Sequence, residues 1–135
     1  MKKILFLLSI VLLFNSCDLE DTNDHFHSVI LPVESVDIPT EFALGQTYEI
    51  TVRYFRPSNC HAFDGFYYEK VLNERTIAVQ NIVLEQGGCE DLTNSLVEET
   101  FDFYVTSNGS YIFKFWQGTN TAGEDVFLEY EIPVN

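Results

Sequence analysis

The sequence predicts an all-β protein built as an antiparallel sandwich of about seven strands. Alanine, the strongest helix former, occurs only four times, whereas Phe, Tyr and Trp supply 15% of the residues and favour strands. Apolar and polar residues also alternate along several segments, and turn-forming residues separate these segments. A chain of 135 residues is long enough for one domain of this kind.

The strong negative charge of the chain restricts its partners. Seven basic residues stand against 21 acidic ones, and the formal net charge is −14. A nucleic-acid partner is excluded because binding to phosphates needs a basic surface. Disorder is excluded as well, since hydrophobic residues make up 46% of the chain.

The clearest predicted strand covers residues 47–56. Its apolar side chains fall on one face, and this inward set is Tyr48, Ile50, Val52 and Tyr54. Turn sequences bound the segment, Gly45-Gln46 before it and Pro57-Ser58-Asn59 after it. Such alternation is typical of an antiparallel strand with one face in the core.

Three later segments show the same alternation and predict strands at 97–105, 111–115 and 126–132. Residues 29–38 alternate and then change phase between two prolines, which predicts an edge strand with a bulge or a switch between sheets. Residues 77–84 also change phase, and we expect a bulge in that strand as well. Residues 66–72 are apolar on both faces and bring the count to about seven strands.

The number and spacing of these strands match an immunoglobulin-like sandwich. Residues 29–38 followed by residues 44–52 resemble the first two strands of bacterial immunoglobulin-like domains. Gly109-Ser110-Tyr111-Ile112-Phe113 resembles the start of their penultimate strand, where a Tyr often makes a corner hydrogen bond. The resemblance implies one such domain over residues 28–135, without the paired cysteines of antibody domains.

The amino terminus has the pattern of an export signal. Lys2-Lys3 precedes an apolar run, residues 4–14, which is too short to span a bilayer and suits a secretory signal. Ser16 then stands directly before Cys17, which resembles the lipobox of bacterial lipoproteins. The resemblance implies a signal peptide over residues 1–16, diacylglyceryl transfer to the Cys17 sulfur and acylation of the new amino terminus. The alternatives are an ordinary secretory signal cut nearby and an uncleaved anchor.

The segment behind Cys17 is strongly acidic, since four of the next seven residues are Asp or Glu. We interpret residues 17–27 as a solvated tether between the lipid and the domain. The segment also resembles the surface-export signal of Bacteroidota lipoproteins, and the chain as a whole resembles small lipoproteins of flavobacteria. This resemblance implies a lipid anchor in the cell envelope, at the outer membrane or the cell surface. In enterobacteria, Asp18 would instead favour retention at the inner membrane.

The two remaining cysteines predict a disulfide. Cys60 and Cys89 both lie in turn-like sequences, and an exported chain meets an oxidising compartment. The alternative is a reactive thiol with His61 as its base, but neighbouring side chains in extended backbone point apart.

Signals for metal binding or catalysis are weak. His25, His27 and His61 are the candidate ligands of a metal site, against the alternative of exposed histidines. Acidic pairs are candidate Ca²⁺ ligands, with Asn94 or Asn120 as neutral donors, or simply solvated; they are Glu90-Asp91, Glu98-Glu99 and Glu124-Asp125. No nucleophile elbow, phosphate loop or HExxH sequence occurs, so we expect no metal, no cofactor and no enzymatic activity.

The surplus of aromatic residues is the remaining functional signal. Phe63-Asp64-Gly65-Phe66-Tyr67-Tyr68 carries four aromatic residues, and strand geometry turns Tyr67 away from Phe66 and Tyr68. We place Tyr68 in the core and take Tyr67, Tyr104 and Trp116 as a candidate binding surface, with complete burial between sheets as the alternative. The expected function is a non-enzymatic binding or structural module that contacts a glycan or a protein. The alternative is an exported inhibitor, or an accessory subunit of a protease or glycan-uptake system, acting through its loops.

Overall fold

The expected β-sandwich is confirmed. The computed structural model describes residues 25–135, and within that range the chain forms eight strands and no helix. The strands are β1 (Phe26–Leu31), β2 (Val33–Asp37), β3 (Thr47–Phe55), β4 (His61–Val71), β5 (Glu74–Leu84), β6 (Leu96–Tyr104), β7 (Tyr111–Thr119) and β8 (Asp125–Ile132). A five-stranded sheet holds β1, β4, β5, β7 and β8, and a three-stranded sheet has the order β2-β3-β6. Residues 1–24, with the predicted signal peptide and Cys17, lie outside the described residues.

The eighth strand arises because the chain changes sheets at Pro32. Before this residue β1 pairs with β5 in the larger sheet, and after it β2 pairs with β3 in the smaller sheet. A proline suits this position because it has no N–H to donate to either ladder. The pairing of β2 also shifts register between Val33 and Ser35. Both the predicted switch and the predicted bulge are therefore present, and β1 begins at Phe26, within the segment expected to be tether.

The central strand of the larger sheet is β5. One of its edges pairs with β4, and its other edge pairs with two strands placed end to end. Residues 79–84 pair antiparallel with β1, and residues 74–77 pair in parallel with β7. Ala78 lies between these two ladders. The remaining pairs of named strands in the sandwich are antiparallel.

The core lies between the two sheets and confirms the predicted register of residues 47–56. Ile50, Val52 and Tyr54 are fully or almost fully buried, and Tyr48 packs against the core from its rim. The larger sheet contributes a matching row of buried side chains, which are Ile77, Val79, Tyr111, Phe113 and Phe115. Each large apolar side chain buried in this way stabilises the fold by about 1.5–3 kcal/mol.

Tyr111 makes the predicted corner. Its phenolic oxygen accepts hydrogen bonds from the backbone N–H groups of Thr106 and Ser107, at 3.2 and 3.0 Å. The guanidinium carbon of Arg75 lies 5.0 Å from the centre of its ring. Burial raises the pKa of Tyr111, but the hydrogen bonds and the charge of Arg75 outweigh burial and lower it overall. The ring thereby ties the β6–β7 turn to the core.

The bulge predicted within residues 77–84 is on the neighbouring strand instead. β5 keeps its phase because Asn81 continues the buried row of Ile77 and Val79. The hydroxyl of Tyr54 donates to the Asn81 side-chain oxygen at 3.3 Å, which satisfies the acceptor of this inward polar residue, while the Asn81 side-chain nitrogen is buried with no hydrogen-bond partner among the described residues. The extra residue lies in β4, where the pairing with β5 shifts between Phe63 and Gly65.

Cys60 and Cys89 form the predicted disulfide, with their Cα atoms 5.6 Å apart. The bond joins the turn before β4 to the long connection between β5 and β6. An isolated bridge between Ser58 and Asp91 reinforces the same junction.

Candidate functional site

A depression of about 390 Å³ lies on the outer face of the larger sheet. All five strands of the sheet contribute to its lining, which consists of Ile30, Tyr67, Glu69, Thr76, Ala78, Trp116, Asp125 and Phe127. Its volume falls within the range of ligand sites in proteins, which is roughly 300–1,000 Å³. The combination of three aromatic rings with a few polar groups is also typical of such sites.

The strand register explains why these residues meet. On β4, Tyr67 is paired with Ala78 of β5 and Glu69 is paired with Thr76, so two large side chains flank two small ones on one face. On the other side of β5, Trp116 of β7 is paired with Phe127 of β8. Ala78 lies between the β1 ladder, which reaches Val79, and the β7 ladder, which reaches Ile77, so its small side chain lines the depression at the point where the two ladders meet.

The strand β7 is irregular at its end, next to Trp116 of the depression. Its pairing with β8 shifts register between Trp116 and Thr119. Gly118 within this bulge has a φ of 102°, a conformation that side chains rarely adopt, and it lies against Pro32 at the sheet switch. The bulge therefore brings the β7–β8 hairpin against the junction of β1 and β2.

A hydrogen bond holds Trp116 in place. The indole Nε1–H donates to the Asp125 carboxylate at 2.9 Å. The bond ties the indole ring of β7 to a residue of β8 and so restrains its orientation. It also uses the single hydrogen-bond donor of the indole. Trp116 therefore offers a ligand its ring rather than a polar group.

The charge lining the depression is entirely negative. Glu69 and Asp125 supply two carboxylates, and in the part of the chain that the structure describes no Lys or Arg lines the depression. Lys114 of β7 is engaged by Glu74, with its Nζ 3.3 Å from the carboxylate. Lys114 is also the cross-strand partner of Thr76, so this basic residue lies beside the depression. The site thus combines aromatic rings with two carboxylates that have no ion-pair partner among residues 25–135.

The structure brings together two of the three predicted aromatic residues. Tyr67, with 47% of its surface exposed, and Trp116 line the same depression. Tyr104 is also exposed, at 58%, but it belongs to β6 in the smaller sheet and does not reach the site. Tyr104 is therefore separate from the surface that Tyr67 and Trp116 share.

The core position predicted for Tyr68 is wrong, since 46% of its surface is exposed. Its strand β4 is an edge strand of the larger sheet, since it pairs only with β5, and the Tyr68 ring is covered only in part. The ring centre of Tyr68 lies 6.4 Å from that of Phe101, at the margin of the sandwich. Phe63 and Phe66, earlier in the same run, do pack against the core.

Sequence reasoning missed Phe127, Glu69 and Asp125 as parts of this site. The signal for Phe127 was present, because the alternation that turns Leu128 and Tyr130 inward leaves an apolar residue facing outward. Asp125 was considered only as a Ca²⁺ ligand, and neither carboxylate had a signal for a place beside aromatic rings. They resemble every other surface acid until the pairing of distant strands places them beside the aromatic rings.

The histidines do not form the three-ligand site considered from the sequence. His27 and His61 lie on opposite sides of Val83, and His27 contacts Glu85 at 2.8 Å. The Nδ1 of His61 lies 2.7 Å from the hydroxyl of Ser58. Partial burial lowers the pKa of His61, and positive charge on His27 and Arg56 lowers it further. Within residues 25–135, no group of three His, Cys, Asp or Glu residues is arranged to hold a metal ion.

Two of the acidic pairs have protein partners of their own. Glu98 forms an ion pair with Arg53, which also binds Asp37. The carboxylate of Glu124 accepts a hydrogen bond from Asn120 at 3.1 Å, while its neighbour Asp125 holds Trp116. The carboxylate of Glu98 thus helps to hold neighbouring strands together, and those of Glu124 and Asp125 help to hold the β7–β8 hairpin.

Along residues 25–135, no helix has the length and apolar character needed to cross a membrane. Comparison with protein-family models found no match, and none was found among curated proteins or among solved structures.

Proposed function

We propose that this protein is a lipid-anchored, non-enzymatic binding module of the bacterial cell envelope. The observation that supports the binding role most strongly is the aromatic depression on the outer face of the larger sheet. A ligand there would cover apolar rings that are partly exposed in the free protein, and such burial favours association. The binding surface lies on strands of the scaffold, which hold side chains more precisely than loops do.

The proposed anchor is the lipidated Cys17, and the outer membrane or the cell surface is the proposed location. The support is the sequence of residues 1–24, which lie outside the described residues. Several acyl chains on one residue give stable attachment, at ~0.8 kcal/mol per buried CH₂. The acidic chain would be repelled by anionic headgroups, so the lipid rather than the protein surface would hold it at the membrane.

Replacing Cys17 with Ala is expected to abolish lipid attachment. Cells grown with a fatty-acid probe should label the wild-type protein and leave the variant unlabelled. Equal labelling of both proteins would contradict the anchor. A Cys89→Ala variant serves as the control, because it also removes one cysteine and should label like the wild type.

Binding at the depression is expected to change the fluorescence of Trp116. The chain contains a single Trp, so its emission reports on this site alone. The full chain in detergent would be titrated with a panel of neutral oligosaccharides, acidic oligosaccharides, short basic peptides and short acidic peptides. We expect a saturable change with at least one class. An unchanged emission spectrum with the whole panel would contradict the proposed function.

A further inference from the structure

We propose that the depression binds an organic cation, an ammonium or guanidinium group seated against Trp116 and Tyr67 and neutralised by Glu69 and Asp125. This inference rests on the proposed binding function and names the chemistry of its ligand. Three properties of the lining support it: its hydrogen-bonding groups, its aromatic rings and its charge.

The hydrogen-bonding groups of the lining are mostly acceptors. Ionised Glu69 and Asp125 only accept hydrogen bonds, and the indole N–H of Trp116 is already donated to Asp125. The hydroxyls of Tyr67 and Thr76 are the remaining side-chain donors of the lining. Ammonium and guanidinium groups only donate, so all their hydrogen-bonding capacity can be directed at these carboxylates, whereas a sugar hydroxyl that donates to a carboxylate leaves its own acceptor lone pairs to other partners.

The aromatic rings suit a cation for a second reason. Tyr67 and Trp116 stand on opposite sides of Ala78, on β4 and β7, and Phe127 adjoins Trp116 on β8. The face of an aromatic ring carries partial negative charge and attracts cations within about 6 Å of its centre, most strongly when the ring is Trp. The ring of Trp116 is restrained by a carboxylate that also attracts the cation.

The net charge of the whole chain also favours a cationic ligand. At a formal net charge of −14, the protein attracts cations and repels anions from a distance. Two basic side chains are already engaged in ion pairs, Arg53 with Asp37 and Glu98, and Lys114 with Glu74. Neither Glu69 nor Asp125 has an ion-pair partner among the described residues.

The test uses the full chain in detergent and the emission of Trp116. The cationic probes are arginine amide and an arginine tetrapeptide, and the neutral control is the same tetrapeptide with citrulline in place of arginine. Maltotetraose and cellotetraose are the neutral sugars. We expect saturable binding of the arginine probes, weaker binding by about tenfold or more for the citrulline peptide, and a further loss as salt is raised.

Two variants that replace a carboxylate with a neutral amide test whether the cation binds in the depression. Glu69→Gln and Asp125→Asn keep the shape of the side chain, and the amide introduced by Asp125→Asn retains an oxygen that accepts the indole N–H. Each should weaken binding of the arginine probes by about tenfold, because each removes one of the two charges. Asp102→Asn is the matched control, since Asp102 is exposed on β6 of the smaller sheet and should leave binding unchanged.

The outcomes distinguish a failure of the proposed ligand class from a failure of the proposed binding function. Equal binding of the arginine and citrulline peptides, or binding of the neutral sugars alone, would overturn the cation and leave the proposed function standing. Absence of binding by every probe would overturn the cation, and an unchanged emission with the acidic oligosaccharides and acidic peptides as well would overturn both. If arginine amide binds as well as the tetrapeptide, the cation is a small free molecule. If only the tetrapeptide binds, the cation is a side chain of a protein partner.

Discussion

Replacing Val52 with Asp is expected to destabilise the protein by about 4–5 kcal/mol, because an unpaired charge would be buried between the two sheets. Val52 lies in the middle of β3 and is fully buried. A domain of this size is stable by only about 5–15 kcal/mol, so the loss removes much of its stability. Urea denaturation of the two proteins, followed by circular dichroism, measures the difference.

Thr51→Asp is the control for this prediction. Thr51 faces away from the core, and its cross-strand partners are Thr100 and Asp37. A like charge opposite Asp37 should cost only about 0.2–1 kcal/mol. A reversed result, with Thr51→Asp unfolded and Val52→Asp unaffected, would mean that the register of β3 is wrong by one residue.

Removing the disulfide has the second-largest expected effect. The double variant Cys60→Ala with Cys89→Ala should lose about 3–4 kcal/mol, because the bond closes a loop whose ends are 29 residues apart in sequence. Most of the loss comes from the greater conformational freedom of the unfolded chain. Urea denaturation under oxidising conditions gives the difference in the free energy of unfolding.

Reductant provides a matched comparison for the disulfide. Treating the wild-type protein with a thiol reductant should lower its stability toward that of the double variant, whereas the double variant should not respond. If reduction leaves the wild-type midpoint unchanged, the bond contributes nothing to stability, or the thiols are free in the mature protein.

The features that could be predicted are those determined by neighbouring residues. The register of β3 follows from uninterrupted alternation, and the change of sheet at Pro32 follows from a phase shift beside a residue that cannot donate a hydrogen bond. The corner made by Tyr111 was expected from the resemblance of residues 109–113 to the start of a strand in bacterial immunoglobulin-like domains. Each of these depends on a segment of about ten residues or fewer.

The features that could not be predicted depend on which strands become neighbours. Alternation along β5 does not indicate that β7 pairs with it in parallel. The same alternation predicts a bulge in β5, whereas the strand continues without one because Asn81 is buried and accepts a hydrogen bond from Tyr54. Tyr68 alternates like a core residue, but it lies on the edge strand β4 and stays partly exposed. Burial at such a position is decided by the opposite sheet.

The site shows the same division between local and long-range information. Strand geometry turns Tyr67 away from Phe66, but only the pairing of β4 with β5 and of β7 with β8 brings Tyr67 to the same depression as Trp116. Tyr104 had equal standing in the sequence, and the structure separates it because β6 belongs to the other sheet.

Tyr67 and Tyr104 therefore provide the most direct test of the binding site. Both are exposed tyrosines in strands, on opposite sheets, and truncation of either to Ala should change stability by no more than about 0.5 kcal/mol. The measurement is the dissociation constant of the panel member that binds most tightly, read from Trp116 emission. We expect Tyr67→Ala to raise this constant about tenfold or more and Tyr104→Ala to leave it unchanged. Equal effects of the two variants, or a loss confined to Tyr104→Ala, would contradict the assignment of the depression as the binding site.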